Sequence, residues 1–273
     1  MTPSHPRPLG LAALHGRRRP APLPTLVLVG HGSRDPRALA TVTALAERVR
    51  EQRPGLAVRL GHIELNEPLL TDTLAAQRGG EAVLVPLLLS RGQHVKRDIP
   101  AAADAAPHLH TRVAAPLGPH PLLAEALHTR LVQAGWPARP LSATERRRHA
   151  VVLAAAGSRD PDSAADTATA AALLADRLGV PVVPAYAAPT EACTRTVSTA
   201  LAALAAEGRT RTAVASYFTA PGRFATQSTA AAPWLAAAPL GAHPALARLV
   251  LHRYDQARAA APATAGPRRL TAV

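Results

Sequence analysis

Apolar positions along the chain follow two alternating rhythms. Thr25 to Val29 is a β-branched and leucine-rich run that ends in Gly30-His31-Gly32, the pattern of a strand entering a tight turn. Leu39, Val42, Leu45, Ala46 and Val49 then recur at helical spacing until Pro54. Asp35 is placed to cap this helix, and Pro36 sits at its first position, where a missing N–H costs nothing. A second strand is predicted over Ala57 to Leu65, with a helix after Pro68. Ala82 to Leu89 is almost unbroken apolar sequence, as expected of a strand buried on both faces of a parallel sheet. A helix around Ile99 to Ala106, a short strand near Arg112 to Ala114 and a helix from His120-Pro121 to Gly135 complete the unit.

The rhythm then repeats, with strands expected near 149–155, 180–186, 211–218 and 234–238, each followed by a helical pattern. Such alternation predicts the α/β class, with two similar domains, each a parallel four-stranded sheet flanked by helices. Motifs repeat as well. Gly30-His31-Gly32-Ser33-Arg34-Asp35-Pro36 returns as Ala155-Ala156-Gly157-Ser158-Arg159-Asp160-Pro161. Ala115 to Pro121 returns as Ala238 to Pro244, and Leu89 to His94 corresponds to Thr219 to Phe224. A period this long marks duplication of a whole domain, not a solenoid. The expected division is a Pro- and Arg-rich disordered tail over 1–23, an N-terminal domain over 24–136, a linker over 137–148, a C-terminal domain over 149–256 and a disordered tail over 257–273. How the two sheets pack, face to face or edge to edge, is left open.

The second copy differs in chemistry. Ala156 and Phe224 stand where the first half has His31 and His94.

Composition narrows the class further. The 48% hydrophobic content with 3% aromatics predicts cores of Leu, Val and Ala. A single cysteine, Cys193, excludes an internal disulfide and fits a reducing compartment. No apolar run approaches the roughly 20 residues that cross a bilayer. At the N-terminus the apolar residues Leu9 to Leu14 precede Arg17 to Arg19, the reverse of a secretory signal. A cytoplasmic protein without membrane association is the expectation. The net charge of +13 would suit nucleic acid or an anionic small molecule. Much of it falls in the tails and linker (Arg7, Arg17 to Arg19, Arg146 to Arg148, Arg268, Arg269), and no basic cluster is interleaved with aromatics. No nucleic-acid partner is therefore expected.

Ligands of open parallel sheets sit at the carboxyl ends of strands. His31 after the first strand, Glu64 at the end of the second and His94 past the third fall at such places. Two imidazoles and a carboxylate suit Fe²⁺, Co²⁺, Ni²⁺ or Zn²⁺, and the same groups accept protons near neutral pH. With 12 histidines in the chain, most are ordinary. His5, His15, His108, His110, His128 and His149 read as surface or capping residues, His62 as a strand residue, and His120 and His243 as helix starts. His31 stands out between two glycines, where the backbone is open. Ser33 and Arg34 could bind an anion at the helix N-terminus, although their survival as Ser158 and Arg159 fits a structural role equally well.

Three segments carry a family resemblance: Gly30 to Pro36, then Leu65-Asn66-Glu67-Pro68, then Val85 to Pro100 with Gly92-Gln93-His94 followed by Asp98-Ile99-Pro100. In this order they resemble the class II tetrapyrrole chelatases, and within them the sirohydrochlorin chelatases of the two-half bacterial type. The resemblance spans about residues 25–254. It implies insertion of Fe²⁺ or Co²⁺ into sirohydrochlorin, toward sirohaem or cobalamin, with the metal as co-substrate and no tightly bound cofactor. It implies His31 and His94 as metal ligands and proton acceptors, with Glu64 as a further catalytic carboxylate. The family's aromatic before Leu-Glu is replaced by His62-Ile63-Glu64, which leaves either Glu64 or His62 to assist proton removal. Ser33, Arg34, Arg91, Gly92, Lys96 and Arg97 are the candidates for holding the anionic macrocycle. One active site per chain follows, with the C-terminal half as its other wall, in a monomer or homodimer. Two alternatives stay in view: a tetrapyrrole or metal carrier without turnover, and a phosphohistidine-type phosphatase. The latter lacks its arginine, since Gly30 occupies that place.

Overall fold

Burial along the first strand, β1 (Thr25–Gly30), alternates between two separate cores. Leu26 and Leu28 belong to one apolar cluster and Val27 and Val29 to another, and all four are fully buried. Side chains of a pleated strand point to opposite faces, so β1 is covered on both. The computed structural model describes residues 23–260. In it β1 lies between β2 (Val58–His62) and β3 (Gly80–Pro86), and β4 (Leu109–Val113) completes a parallel sheet of order β2-β1-β3-β4. The second half repeats this order as β6-β5-β7-β8, from β5 (His149–Ala155), β6 (Val182–Tyr186), β7 (Arg211–Ser216) and β8 (Leu235–Ala236).

Helices pair across the halves. In the first half these are α1 (Pro36–Gln52), α2 (Leu70–Ala75), α3 (Ile99–Asp104) and α4 (Pro121–Gln133). Helix α5 (Ala143–Arg148) leads into α6 (Pro161–Leu178), α7 (Val197–Ala206), α8 (Arg223–Ala230) and α9 (Pro244–Ala259). Asp35 and Asp160 cap α1 and α6 by accepting from the N–H of the second helical residue, and both helices begin with proline. His120 and His243 cap α4 and α9 through Nδ1, the structural role expected of them.

Helix α1 packs on α9 and α4 packs on α6 and α9, while α9 also touches β3 and β4 and α4 touches β7. One continuous core therefore joins Leu28 and Val85 of the first sheet, through these four helices, to Leu153 and Ala215 of the second. The sheets face each other across a shared helical layer. Their outer faces carry separate clusters, covered by α2 and α3 on one side and α7 on the other. At the rim of the shared layer Arg53, which follows the last residue of α1, donates two 2.7 Å bonds to Asp255 of α9, and the buried Tyr254 hydroxyl donates to Pro24 O at 2.8 Å.

Several expectations change. β2 stops at His62, which leaves Glu64 beyond the strand. β3 stops at Pro86: Leu87 N–H still donates to Val29 O of β1, but the carbonyls of Leu87 and Leu89 accept from Thr219 and Tyr217 of the other half. The segment read as a linker contains α5, fixed by a capping box between Ser142 and Glu145, so Arg146 to Arg148 are helical. Helix α9 continues to Ala259, past the expected boundary at 256. His149 is buried, its ring packed edge-on against both Trp136 and Trp234, the chain's two tryptophans. The tails over 1–22 and 261–273, with Arg7, Arg17 to Arg19, Arg268 and Arg269, lie outside the described residues. Among the described residues no helix is long and apolar enough to cross a membrane.

Candidate active site

His31 leaves the carboxyl end of β1 through a turn that only glycine permits at the next position. Gly32 has φ of 103°, and a Cβ there would lie 1.7 Å from the Glu64 carbonyl oxygen. This close approach comes from hydrogen bonding that continues past β2: Ile63 N–H donates to Gly30 O at 2.9 Å and Glu64 N–H to His31 O at 3.1 Å. The loop is further tied by Ser33 N–H donating to Asn66 Oδ1 at 2.7 Å. Backbone pairing thus sets Glu64 beside His31, with His31 Nδ1 3.6 Å from Glu64 Oε1 and both side chains about half exposed.

His94 arrives from the third strand. After β3 the chain crosses toward the second half and returns into a π-helical turn, His94–Asp98, which runs on into α3. Single π turns inside helices recur at functional sites. This one puts Asp98 Oδ2 2.6 Å from His94 Nδ1. Asp98 therefore orients the imidazole and does not cap the following helix, which has no side-chain cap. The rings of His31 and His94 meet edge to face, with centroids 4.7 Å apart and an interplanar angle of 88°. With Nδ1 of each ring turned toward a carboxylate, neither Nε2 has a hydrogen-bond partner among the described residues. A carboxylate on Nδ1 makes the other nitrogen a better ligand and base. The arrangement is open: among the described residues no three His, Cys, Asp or Glu side chains close into a metal cage.

His62 lies apart from this group. Its ring is 1% exposed beneath Gly30, where a Cβ would touch its Cδ2 at 3.0 Å. Burial lowers its pKa, its Nδ1 lies 3.3 Å from Pro68 O, and its Nε2 is unpartnered. Of the two candidates for assisting proton removal, Glu64 is the one that stands beside His31 in the open.

The candidate cations divide. Arg34 and Arg97 are exposed and have no ion pair among the described residues. Arg91 and Lys96, also named as candidates for holding the substrate, are each paired with carboxylates of the second half. Asp166 of α6 accepts from Arg91 N at 2.8 Å, Nε at 3.0 Å and Nη2 at 2.7 Å. Lys96 Nζ lies 2.6 Å from Asp160 Oδ2 and 2.9 Å from Asp162 Oδ2. These carboxylates raise the pKa of both cations. Ser90 and Ser163 share a hydrogen bond of 2.8 Å, and Gly92 lies against Ser158 of the second half. Ser33 turns inward, its Oγ accepting from Asp35 N–H.

Equivalent backbone contacts extend the loss seen in the second half. Ala188 N–H donates to Ala156 O as Glu64 N–H does to His31 O, and Gly157 (φ 99°) abuts Ala188 O as Gly32 abuts Glu64 O. Ala156, Ala188 and Phe224 thus replace His31, Glu64 and His94, and Ser228 replaces Asp98. The loss of Glu64 and Asp98 is hidden from motif comparison because neither lies in an obvious repeat. The i,i+4 spacing of His94 and Asp98 is the signal that could have revealed their pairing.

A family model described as CbiX matches residues 25–134 and again residues 150–257. Sirohydrochlorin cobaltochelatase of Methanococcus aeolicus is 40% identical over 78 residues, 28% of this chain and 54% of that protein. Sirohydrochlorin ferrochelatase of Bacillus subtilis is 30% identical over 169 residues, 59% of this chain and 62% of that protein. The chain spans about half the length of the curated relatives it matches. Among solved structures, SirB from Bacillus subtilis with Fe³⁺ aligns with a TM-score of 0.69 at 23% identity, covering 87% of this chain and 96% of that one. CbiX, described as the terminal enzyme for biosynthesis of siroheme in denitrifying bacteria, aligns with a TM-score of 0.64 at 20% identity, over 85% and 99%. At these identities the structural likeness establishes the fold. Matched in both of its halves, the chain belongs to the CbiX family.

Proposed function

We propose that this chain inserts a divalent metal ion, Fe²⁺ or Co²⁺, into sirohydrochlorin, as a lyase with one active site in its N-terminal half. The observation that carries the reading is the meeting of His31, His94 and Glu64 at the carboxyl ends of three strands, while their counterparts are Ala156, Phe224 and Ala188. Names of the relatives, cobaltochelatase and ferrochelatase, point the same way.

The chemistry suits the site. Metalation exchanges two pyrrole N–H protons for one M²⁺, so a site must hold the ion and take up protons. His31 and His94 offer the ion Nε2 atoms that have no partner among the described residues. Glu64, beside His31, accepts the two protons one after the other and passes each to solvent. Metal is substrate here and must leave with the product, which an open pair of imidazoles permits more readily than a closed cage. Arg34 and Arg97 attract the carboxylates of the macrocycle.

The test is continuous absorbance of sirohydrochlorin with Co²⁺ or Fe²⁺ under anaerobic conditions. Many equivalents of metallated product per chain, formed faster than without protein, support the reading. At most one equivalent per chain would make the protein a carrier, and identical rates with and without protein would remove the proposal.

A further inference from the structure

The internal duplication allows each contact across the halves to be compared with its partner contact. The loop that carries His94 is gripped at two points by the second half, at Arg91 through Asp166 and at Lys96 through Asp160 and Asp162. Its counterpart in the second half carries Pro221 in place of Arg91 and Thr226 in place of Lys96. The helix facing that counterpart carries Asp35, Arg37 and Thr41 in place of Asp160, Asp162 and Asp166. There Asp35 is paired with Arg37 of its own helix, at 2.6 Å. Pro221 and Thr41 instead line a groove of about 480 Å³. Acidic residues thus clamp one loop and leave its twin unclamped.

We propose that Asp166, Asp160 and Asp162 of the second half are positioning residues for His94. Asp166 is 3% exposed, and its carboxylate receives three bonds from one arginine. A buried carboxylate so matched to a single cation tolerates no displacement of that cation. Lys96 sits within the same π-helical turn as His94, so its two carboxylate partners hold the turn itself. Between these anchors lie only Gly92 to Val95, and the ring is then aimed by Asp98 at 2.6 Å. The latch gives the second half a task after the loss of its own histidines. Asp160 of the retained Gly157-Ser158-Arg159-Asp160-Pro161 turn serves twice, capping α6 as Asp35 caps α1 and binding Lys96.

The kinetic part of the test rests on the chelatase reading; the exchange part does not. Full-length Asp166→Asn and the pair Asp160→Asn/Asp162→Asn are compared with Asp255→Asn, which breaks an ion pair between the halves far from His94. Amide hydrogen exchange over residues 90–98 and steady-state Co²⁺ insertion into sirohydrochlorin are measured for each. Both latch variants should exchange faster over 90–98, with β5 and the core of α6 unchanged. Both should lower kcat by about tenfold to a hundredfold with KM nearly constant, because displacing a catalytic group by an ångström costs on that order. Asp255→Asn should do neither. If Arg91 and Lys96 instead clamp the substrate, removing the carboxylates would free them, and the latch variants would keep kcat and lower KM; that result overturns the proposal. Unchanged exchange over 90–98 overturns it too, even if the wild-type protein proves to insert no metal. Should Asp166→Asn fail to fold, the Asp160→Asn/Asp162→Asn pair decides alone.

Discussion

Replacing Gly32 by alanine would place a methyl group 1.7 Å from the Glu64 carbonyl oxygen. The obstacle is backbone, so no side-chain rotation relieves it. At φ of 103° an L-residue is also strained, at a cost of about 1–2 kcal/mol. Forcing the two loops apart adds about 1–3 kcal/mol, as overpacking does elsewhere, so the variant should lose about 2–5 kcal/mol in denaturant unfolding. The duplication supplies its own control. Gly157 has φ of 99°, and its Cβ would lie 2.1 Å from Ala188 O, so Gly157→Ala should lose a similar amount. Separation of the loops moves Glu64 from His31 in the first variant, and in the second moves Ala188 from Ala156 beside the turn that bears Asp160. Metal insertion, assayed where both variants remain folded, should therefore fall further in Gly32→Ala than in Gly157→Ala, which reaches the site only through the contact of Asp160 with Lys96. Equal losses of activity, or a Gly32→Ala protein as stable as wild type, would refute this account of the turn.

Other outcomes follow from single contacts. Asp98→Asn should lower the rate of metal insertion by about 10–100-fold, the usual effect of removing the group that orients a ligating histidine, with far-UV circular dichroism unchanged. Asp255 has its carboxyl held below the usual range, chiefly by its hydrogen bonds with Arg53. A depressed folded pKa stabilises above the unfolded value of about 3.9 and is lost as pH falls below it. Because the pair is partly exposed, that contribution is at most about 1 kcal/mol. Unfolding curves of wild type and Asp255→Asn should differ at pH 7 and converge as the pH falls through the lowered pKa of Asp255. Tyr254→Phe leaves the Pro24 carbonyl without its buried donor and should cost about 1–3 kcal/mol in the same assay.

The alternation of strands and helices, the helix periodicity and the repeated motifs were legible because each is written in short runs of sequence, whereas the strand order β2-β1-β3-β4 was not. The alternation at Leu26 to Val29, the Asp35-Pro36 and Asp160-Pro161 caps and the repeated His-Pro helix starts all express themselves within a few residues. The positions of His31 and His94 after strand ends followed from the same logic. What was hidden depends on partners far apart in sequence. Leu87 to Leu89 look like strand because they are apolar, yet hydroxyls of Tyr217 and Thr219 take up their carbonyls. Arg91 and Lys96 look like free cations because Asp166, Asp160 and Asp162 come much later in the chain. His149 looks like a cap, and only the approach of Trp136 and Trp234 buries it.

The central claim is that metal insertion belongs to one half of a duplicated fold. Its most direct measurement is the initial rate of Co²⁺ insertion into sirohydrochlorin by wild type, His31→Ala, His94→Ala and, in the second half, Phe224→Ala. Both histidine variants should fall to the rate without protein while Phe224→Ala keeps most of the wild-type rate. Histidine variants that retain wild-type turnover would contradict the account.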